Sequence, residues 1–419
     1  MSAGDKTPLA GRRVAVIGGG LIGAAAALRL QRAGAQIVLI DPGEERARAS
    51  WGNASLIASE LAEPLASWAT LRSAPRRLFA FGGPLDFVWR DADLWLPWTL
   101  RYLAACRRVR FEAGTRALSS LLADAAPAWR RLLQDIGRAD LFQDTPHWLV
   151  WESPETLLSG VAAAKAAATG PAVVRDLASQ EAEAARREVS RKIIGGISFE
   201  GTAKVADPAE AVHALHAALA VGGAEIITGF VEAVESGNTG VRLRLAGGRD
   251  VDADLALIAA GARSAPLLKG AGLKAPLAAE RGYHLQYAEH RLAPGAPPLI
   301  FEDRFVCVVR VGEAVRVTGF TEIGRPGSPP DPRKWARLEA HVRELGLPVL
   351  GEPERWMGAR PTLPDFLPAI GRRGRLLYAF GHQHIGLTLA AVTAEAAAEL
   401  ASAAEPPVRL APFDLARFG

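Results

Sequence analysis

The chain has 419 residues, 49% hydrophobic and 22% charged, which can bury a large core and exceeds one ordinary small domain. Lysine and arginine number 49 against 45 acidic residues, and the resulting net charge of +4 is too small and too dispersed for a nucleic-acid surface. The two cysteines, Cys106 and Cys307, stand outside any metal or disulfide spacing and read as buried free thiols of a reducing cytoplasm.

The opening MSAGDKTPLAGRR lacks the apolar core of a signal peptide, and the run from Val14 to Leu28 is too short and glycine-broken to span a membrane. A cytoplasmic protein is expected. RVAVI, residues 13–17, reads as a buried strand, LIGAAAALRLQRAG as a helix stopped by Gly34, and AQIVLID, residues 35–41, as a second buried strand. From Glu60 to Ala185 the pattern predicts long tryptophan-rich helices such as WLPWTLRYLAACRRVRF. Within it, residues 87–111 join tryptophans and Tyr102 to Arg101, Arg107, Arg108 and Arg110. Two readings stay open for that element: an ordinary helix of the second domain, or a peripheral contact on the inner face of a membrane. Residues 206–235 predict a capped helix, a glycine stop and a strand; residues 241–264 predict two strands and a glycine-rich end. Short strands alternate over 280–323, and the tail reads as strand, glycine turn and long alanine-rich helix.

The first strand, helix and strand form a β-α-β unit with Gly18-Gly19-Gly20-Leu21-Ile22-Gly23 at its turn. Gly18 permits the tight turn, Gly20 lets a pyrophosphate approach the backbone, and Gly23 allows close helix–strand packing, with Leu21 and Ile22 opening the helix. Asp41, followed by Pro42, ends the second strand where a carboxylate meets ribose hydroxyls. Two further close-approach glycine ends, ALIAAG (256–261) and GHQHIGLTLA, suit a long cofactor lying through the whole chain, so FAD is favoured over NAD.

VAVIGGGLIGAAAALRL, ASWGNAS, ADLALIAAGARSAPLL, ERGYHL, GARPTLPDFLPAIG and FGHQHIGLTLA together resemble the glycine/D-amino-acid oxidase family, in particular its bacterial D-amino-acid and D-hydroxyproline dehydrogenases. The resemblance runs from residue 14 to about 391. It implies an α/β fold with a Rossmann-like FAD-binding domain and an α+β substrate domain built on a mixed sheet. The expected division is 1–58, 203–272 and 356–419 for the FAD domain, and 59–202 with 273–355 for the substrate domain.

By the same resemblance Ser50, Trp51, Gly52 and Asn53 lie along the flavin and pyrophosphate, and Val231 meets the adenine side through its backbone. Ala260 and Gly261 pass close to the cofactor, His382 flanks the flavin, and Gly386, Leu387 and Thr388 present N–H groups to the ring's pyrimidine end. A helix start suits the negative charge of a reduced flavin. Trp51 stands where several relatives tether flavin through histidine, so non-covalent FAD is expected.

Arg360 is the arginine that the resemblance sets against a substrate carboxylate, and a guanidinium fork fixes a carboxylate in distance and angle. Its alternative is a structural pairing with Asp365. Tyr283 is a candidate for bonding the same carboxylate, and His284 for shaping the pocket or bonding the amine. No metal set is expected around His382 and His384. His213 and His216 read as packing or solvated residues of a helix. The implied activity is FAD-dependent oxidation of a small D-amino or imino acid, with D-proline or cis-4-hydroxy-D-proline favoured. Hydride passes from Cα to flavin N5, and electrons go on to a quinone or a partner protein. The alternatives are an oxygen-using oxidase of glycine, sarcosine or another secondary amine, and a non-catalytic FAD-binding subunit.

Overall fold

The computed structural model describes residues 8–419, so the first residues of the segment weighed against a signal peptide lie outside the described ones. Two sheets carry the architecture. The first runs in the order Glu225–Thr228, Gln36–Asp41, Arg13–Ile17, Leu255–Ile258, Leu376–Phe380, Ala369–Arg373. All are parallel except Ala369–Arg373, which returns antiparallel at one edge. The central strands are buried on both sides, which is why RVAVI, QIVLI and LALI are continuous apolar runs rather than alternating ones.

The helix Leu21–Arg32 packs against Gly386–Ser402 and Pro208–Val221. Ala24, Ala25, Ala26 and Ala27 are wholly buried there, and their small side chains let neighbouring helices approach closely. With the preceding turn, Gln383–Ser402 is long and apolar enough by composition to cross a membrane, yet most of its most apolar stretch is buried in this core. Pro208–Val221 starts where its composition asks: Asp207 accepts from the N–H groups of Ala209 and Glu210, and Pro208 takes the first turn.

The second sheet has nine strands. Glu354–Thr362 forms one edge, followed by Ala278–Tyr287, Ala314–Gly324, Val306–Val311 and Leu299–Phe301, then by His147–Trp151, Gly195–Glu200 and Val173–Asp176. Leu85–Phe87 pairs beside Ala314–Gly324. This is the mixed sheet expected of the substrate half, joined to a Rossmann-like half.

Three local expectations change. Residues 142–144, 147–151 and 173–176 are strands inside the span read as helical, because HWLVW is a short buried run that periodicity does not separate from helix. The tryptophan-rich stretch is two helices, Ala92–Ala105 and Arg108–Leu122, broken at Cys106-Arg107. Glu354–Thr362 pairs with Ala278–Tyr287 along nearly its whole length, so position 356 falls inside a strand of the second sheet.

Beyond Thr362 the chain crosses from the second sheet into the first. An isolated bridge between Thr362 and His382 ties the crossing. The seam therefore brings Arg360, the 382–388 turn and the carboxyl ends of the parallel strands into one neighbourhood, the usual place for a ligand in such folds.

Candidate functional site

The glycine turn is built for close backbone approach. Gly18 has φ +107°, and a Cβ there would lie 2.5 Å from the Ala259 carbonyl oxygen. One at Gly23 would lie 1.8 Å from the Gly18 oxygen, so the helix needs glycine to pack on its strand. At Gly20 the nearest atom is Ser50 Oγ at 3.6 Å, which leaves that side open to a ligand. Leu21 begins the helix with Ile22 beside it, and no side chain caps that helix start. Asp41 accepts from the Gly19 N–H (2.6 Å), the Gly43 N–H (2.8 Å) and Arg48 (2.7 Å). Burial pushes its carboxyl up, but Arg48 and the two backbone donors outweigh that and hold it below the usual range. It stays charged beside Pro42. His216 has a more specific place than surface packing: its Nε2 lies 2.8 Å from the Gly19 oxygen and braces the turn.

The loop after the second strand is pinned to the other sheet. A Cβ at Gly52 would fall 2.1 Å from the Trp356 ring. Trp356 stacks on His284 with centroids 4.8 Å apart, and His284 Nδ1 lies 3.2 Å from the Gly52 oxygen. Arg316 donates to the carbonyls of Trp51 (3.2 Å) and Asn53. Burial lowers the Arg316 guanidinium to about 10, which still leaves it charged at neutral pH. Asn53 Oδ1 accepts from Ser55 N–H (2.8 Å) and fixes the turn. Val231, buried, begins the strand Val231–Ser236, while Ala260 and Gly261 follow Leu255–Ile258, with open space beside Gly261.

Gly386, Leu387 and Thr388 open the long core helix, again without a side-chain cap. Thr388 Oγ1 accepts from Ala58 N–H (2.9 Å) and donates to the Leu56 oxygen (3.2 Å), and Trp129 Nε1 donates to the Leu387 oxygen (2.8 Å). The helix start is thus held rigidly while its own N–H groups stay aimed outward. His382 Nε2 pairs with Thr393 Oγ1 (3.0 Å), its Nδ1 is buried without a partner, and burial lowers its pKa to about 3. Two uncapped helix starts, the open side of Gly20 and this orphaned nitrogen fit a long dinucleotide with a polar ring system at its far end.

On the seam-facing side of Ala278–Tyr287 and Glu354–Thr362, Glu280 lies opposite Arg360 in register. Arg360 Nη1 donates to Glu280 Oε1 (3.1 Å), and a Cβ at Gly282 would lie 2.4 Å from Arg360 Nη2, so the guanidinium lies directly over a bare backbone. Asp365 is not its partner, because Arg417 takes that carboxylate at 2.6 Å. His284 lies on the same face, and burial, with Arg316 and Arg360 adding to it, drives its pKa well below the ordinary value.

Tyr283 is a correction. Strand alternation turns it to the opposite face, where its hydroxyl donates to Glu322 (2.8 Å) and accepts from Asp331 N–H (3.0 Å) and Arg281 (3.1 Å). It is fully buried and cannot reach a carboxylate held by Arg360. Glu280, Arg316 and Trp356 stand at this seam without having been singled out in the sequence, and His216, read there as packing or solvated, contacts the glycine turn. The signal for the first two was a charge carried within a largely buried strand, Glu280 in AAERGYHLQY and Arg316 in AVRVTGFTEIG, where it needs a partner.

The model of the DAO family, FAD dependent oxidoreductase, matches residues 13–400. The chain is 31% identical over 422 residues to a D-amino-acid oxidase of Bradyrhizobium diazoefficiens, covering 97% of this chain and 99% of that one. It is 28% identical over 426 residues to a D-amino acid dehydrogenase of Dechloromonas aromatica, covering 94% and 98%. The crystal structure of glycine oxidase from Geobacillus kaustophilus shares its fold with a TM-score of 0.71 at 20% identity, covering 96% of this chain and 98% of that one. The chain belongs to the DAO family of FAD-dependent oxidoreductases.

Proposed function

We propose that the protein oxidises a small D-amino or imino acid at Cα and passes the electrons to an acceptor other than oxygen. The observation that carries this is Arg360, whose side chain remains 26% exposed beside a carboxylate only 7% exposed. The guanidinium has donors left for a ligand, at the seam where the uncapped helix start also points. Arg360 binds the substrate carboxylate through its fork, which sets both distance and angle for Cα. The Gly386–Thr388 N–H groups stabilise negative charge at the far end of the ring. His284 and Trp356 hold the 50–53 loop against the second sheet. Bound FAD supplies a two-electron acceptor for conversion of the amine to an imine, which water hydrolyses or which persists as a cyclic imine. No general base is assigned, since a desolvated site favours the neutral amine.

D-proline and cis-4-hydroxy-D-proline stay in the proposal for their compact ring. The histidine support for a ring hydroxyl now rests mainly on His384, because His284 faces Gly52 and His382 faces Thr393. For the acceptor, support comes from an exposed apolar stripe of Leu96, Leu100 and Leu103 on Ala92–Ala105, with Trp89 before it. Arg101 on the same helix and Arg107, Arg108 and Arg110 just after it are exposed, Arg108 pairing with Glu112, and this suits an anionic lipid surface carrying a quinone. A second reading, an oxygen-using oxidase, is favoured by the 31% identical relative of that name.

The test is a panel of D-amino acids, D-proline and D-hydroxyprolines, run with an artificial acceptor and with oxygen alone. Bleaching of the flavin by a D-isomer supports the substrate class. Hydrogen peroxide at the full turnover rate replaces the dehydrogenase reading with the oxidase one. Flotation with anionic vesicles tests the surface: Arg107→Glu with Arg108→Glu should weaken binding, and no binding at low salt argues for a soluble acceptor.

A further inference from the structure

Glu280 lies across from Arg360 on neighbouring strands. One of its oxygens accepts from Arg360 Nη1 (3.1 Å) and lies 3.5 Å from Thr321 Oγ1, and the other accepts from Thr362 Oγ1 (3.0 Å). Arg360 with Glu280 is neutral before any ligand enters. A ligand that brings only a carboxylate adds an uncompensated negative charge beside a buried one, and a low local dielectric sharpens that repulsion. An α-amino acid arrives with an ammonium that offsets this charge, and its neutral, reacting form still brings an N–H donor for the Glu280 carboxylate. Paired cross-strand side chains stand about 5 Å apart at Cβ, a span that adjacent carboxylate and nitrogen groups can bridge.

We infer that Glu280 receives the N–H of the substrate's amino or imino nitrogen while Arg360 holds its carboxylate, so that the pair rejects isosteric acids lacking the nitrogen donor. The inference rests on the reading of Arg360 as the carboxylate ligand. Glu280 is then a specificity-determining residue in contact with substrate, and its acceptor-only carboxylate suits the task. An ether oxygen in place of N–H faces it without a hydrogen bond, and a site built for a donor rejects such an analogue strongly.

The test uses the holoenzyme and two non-oxidisable rings of one shape, pyrrole-2-carboxylate with an N–H and 2-furoate with an ether oxygen. Their binding is read from the perturbed visible flavin spectrum. The wild-type protein should prefer pyrrole-2-carboxylate by tenfold or more. Glu280→Gln should bring the two affinities to within about threefold, chiefly by tightening 2-furoate, and should raise KM for the amino acid more than it lowers kcat. Equal wild-type affinities, measured without any variant, would overturn the inference. So would a Glu280→Gln protein in which both ligands weaken alike, since that marks a residue that only positions Arg360. Arg360→Lys separates the parent reading: if it leaves both affinities unchanged, Arg360 is not the carboxylate ligand and that reading fails first.

Discussion

The two faces of the strand Ala278–Tyr287 hold similar chemistry and end in opposite conditions. On one, Arg281, Tyr283, Glu322, Lys334, Asp86 and Asp331 close on one another: Lys334 Nζ reaches the three carboxylates at 2.8, 3.1 and 3.0 Å, and Arg281 adds the Ser328 and Pro329 carbonyls at 2.5 and 2.8 Å. The three carboxylates are near enough together to suggest a cation site, and the lysine ammonium holds that place. On the other face, Arg360 has one carboxylate contact, an uncovered backbone at Gly282 beneath it, and remaining donors turned to the seam. Buried charge alone therefore marks no functional site. Donors left unused in a rigid setting do, because a ligand can complete them.

If the closed face is structural, breaking it should cost stability and spare chemistry. Glu322→Ala removes the partner of Arg281, Tyr283 and Lys334 and leaves buried cations short of an acceptor. We expect a loss of about 3–5 kcal/mol of stability, seen as a lowered Tm, with kcat/KM near normal in the folded fraction. Loss of turnover at unchanged Tm would erase the contrast. The open face should behave the other way. Arg360→Lys keeps the charge and loses the fork, and a drop of about 2–4 kcal/mol in kcat/KM terms is expected with flavin content retained. Retained flavin should be released by acid, as non-covalent binding requires.

The first sheet, the glycine turn and the core helices were legible in the sequence because continuous apolar strands, alanine-rich helices and glycine punctuation are local signals. Arg360 was legible for the opposite reason: a lone cation among glycines and prolines has no local partner. Tyr283 misled because motif neighbours share a sequence but alternate between faces, so ERGYHL contributes Glu280 and His284 to the site and Arg281 and Tyr283 to the closed network. The partnership of Glu280 with Arg360 spans eighty residues and depends on strand register, which no local pattern encodes.

A smaller change sharpens the open face further. Gly282→Ala puts a methyl group where Arg360 Nη2 lies, within 2.4 Å, so the long side chain must move aside. Because that end is flexible, the fold should tolerate the change, and a loss of roughly tenfold in kcat/KM is expected, about 1.4 kcal/mol, expressed mainly as a higher KM. Unchanged KM with a lowered Tm would mean that the guanidinium does not need its place over the backbone.

The weakest expected effect concerns acid. Burial depresses the pKa of His382 to about 3, and burial followed by the Arg304 charge depresses that of His341 to about 4. An unfolded histidine titrates near 6.5, so as pH falls below that value the unfolded chain takes up protons that the native imidazoles refuse. Stability is fully present above about 6.5 and declines toward the folded values, each histidine contributing at most about 1.4 kcal/mol per pH unit in that window. The closed face differs at Asp331, where Arg333 and Lys334 outweigh burial and hold the carboxyl well below the usual range, so that carboxylate keeps its charge until the solution is far more acidic. His382→Gln keeps an amide for Thr393 and removes the titrating group. The Tm of this variant should fall less steeply than that of the wild type between pH 6.5 and 5, and the two should differ little in slope above pH 7. His341→Gln, on the far side of the sheet, should flatten the same window without changing the pH dependence of flavin binding, whereas His382→Gln should alter both, because only His382 adjoins the uncapped helix start. Identical flavin-binding profiles for the two variants would separate His382 from the cofactor seam and leave it a core residue of the long helix.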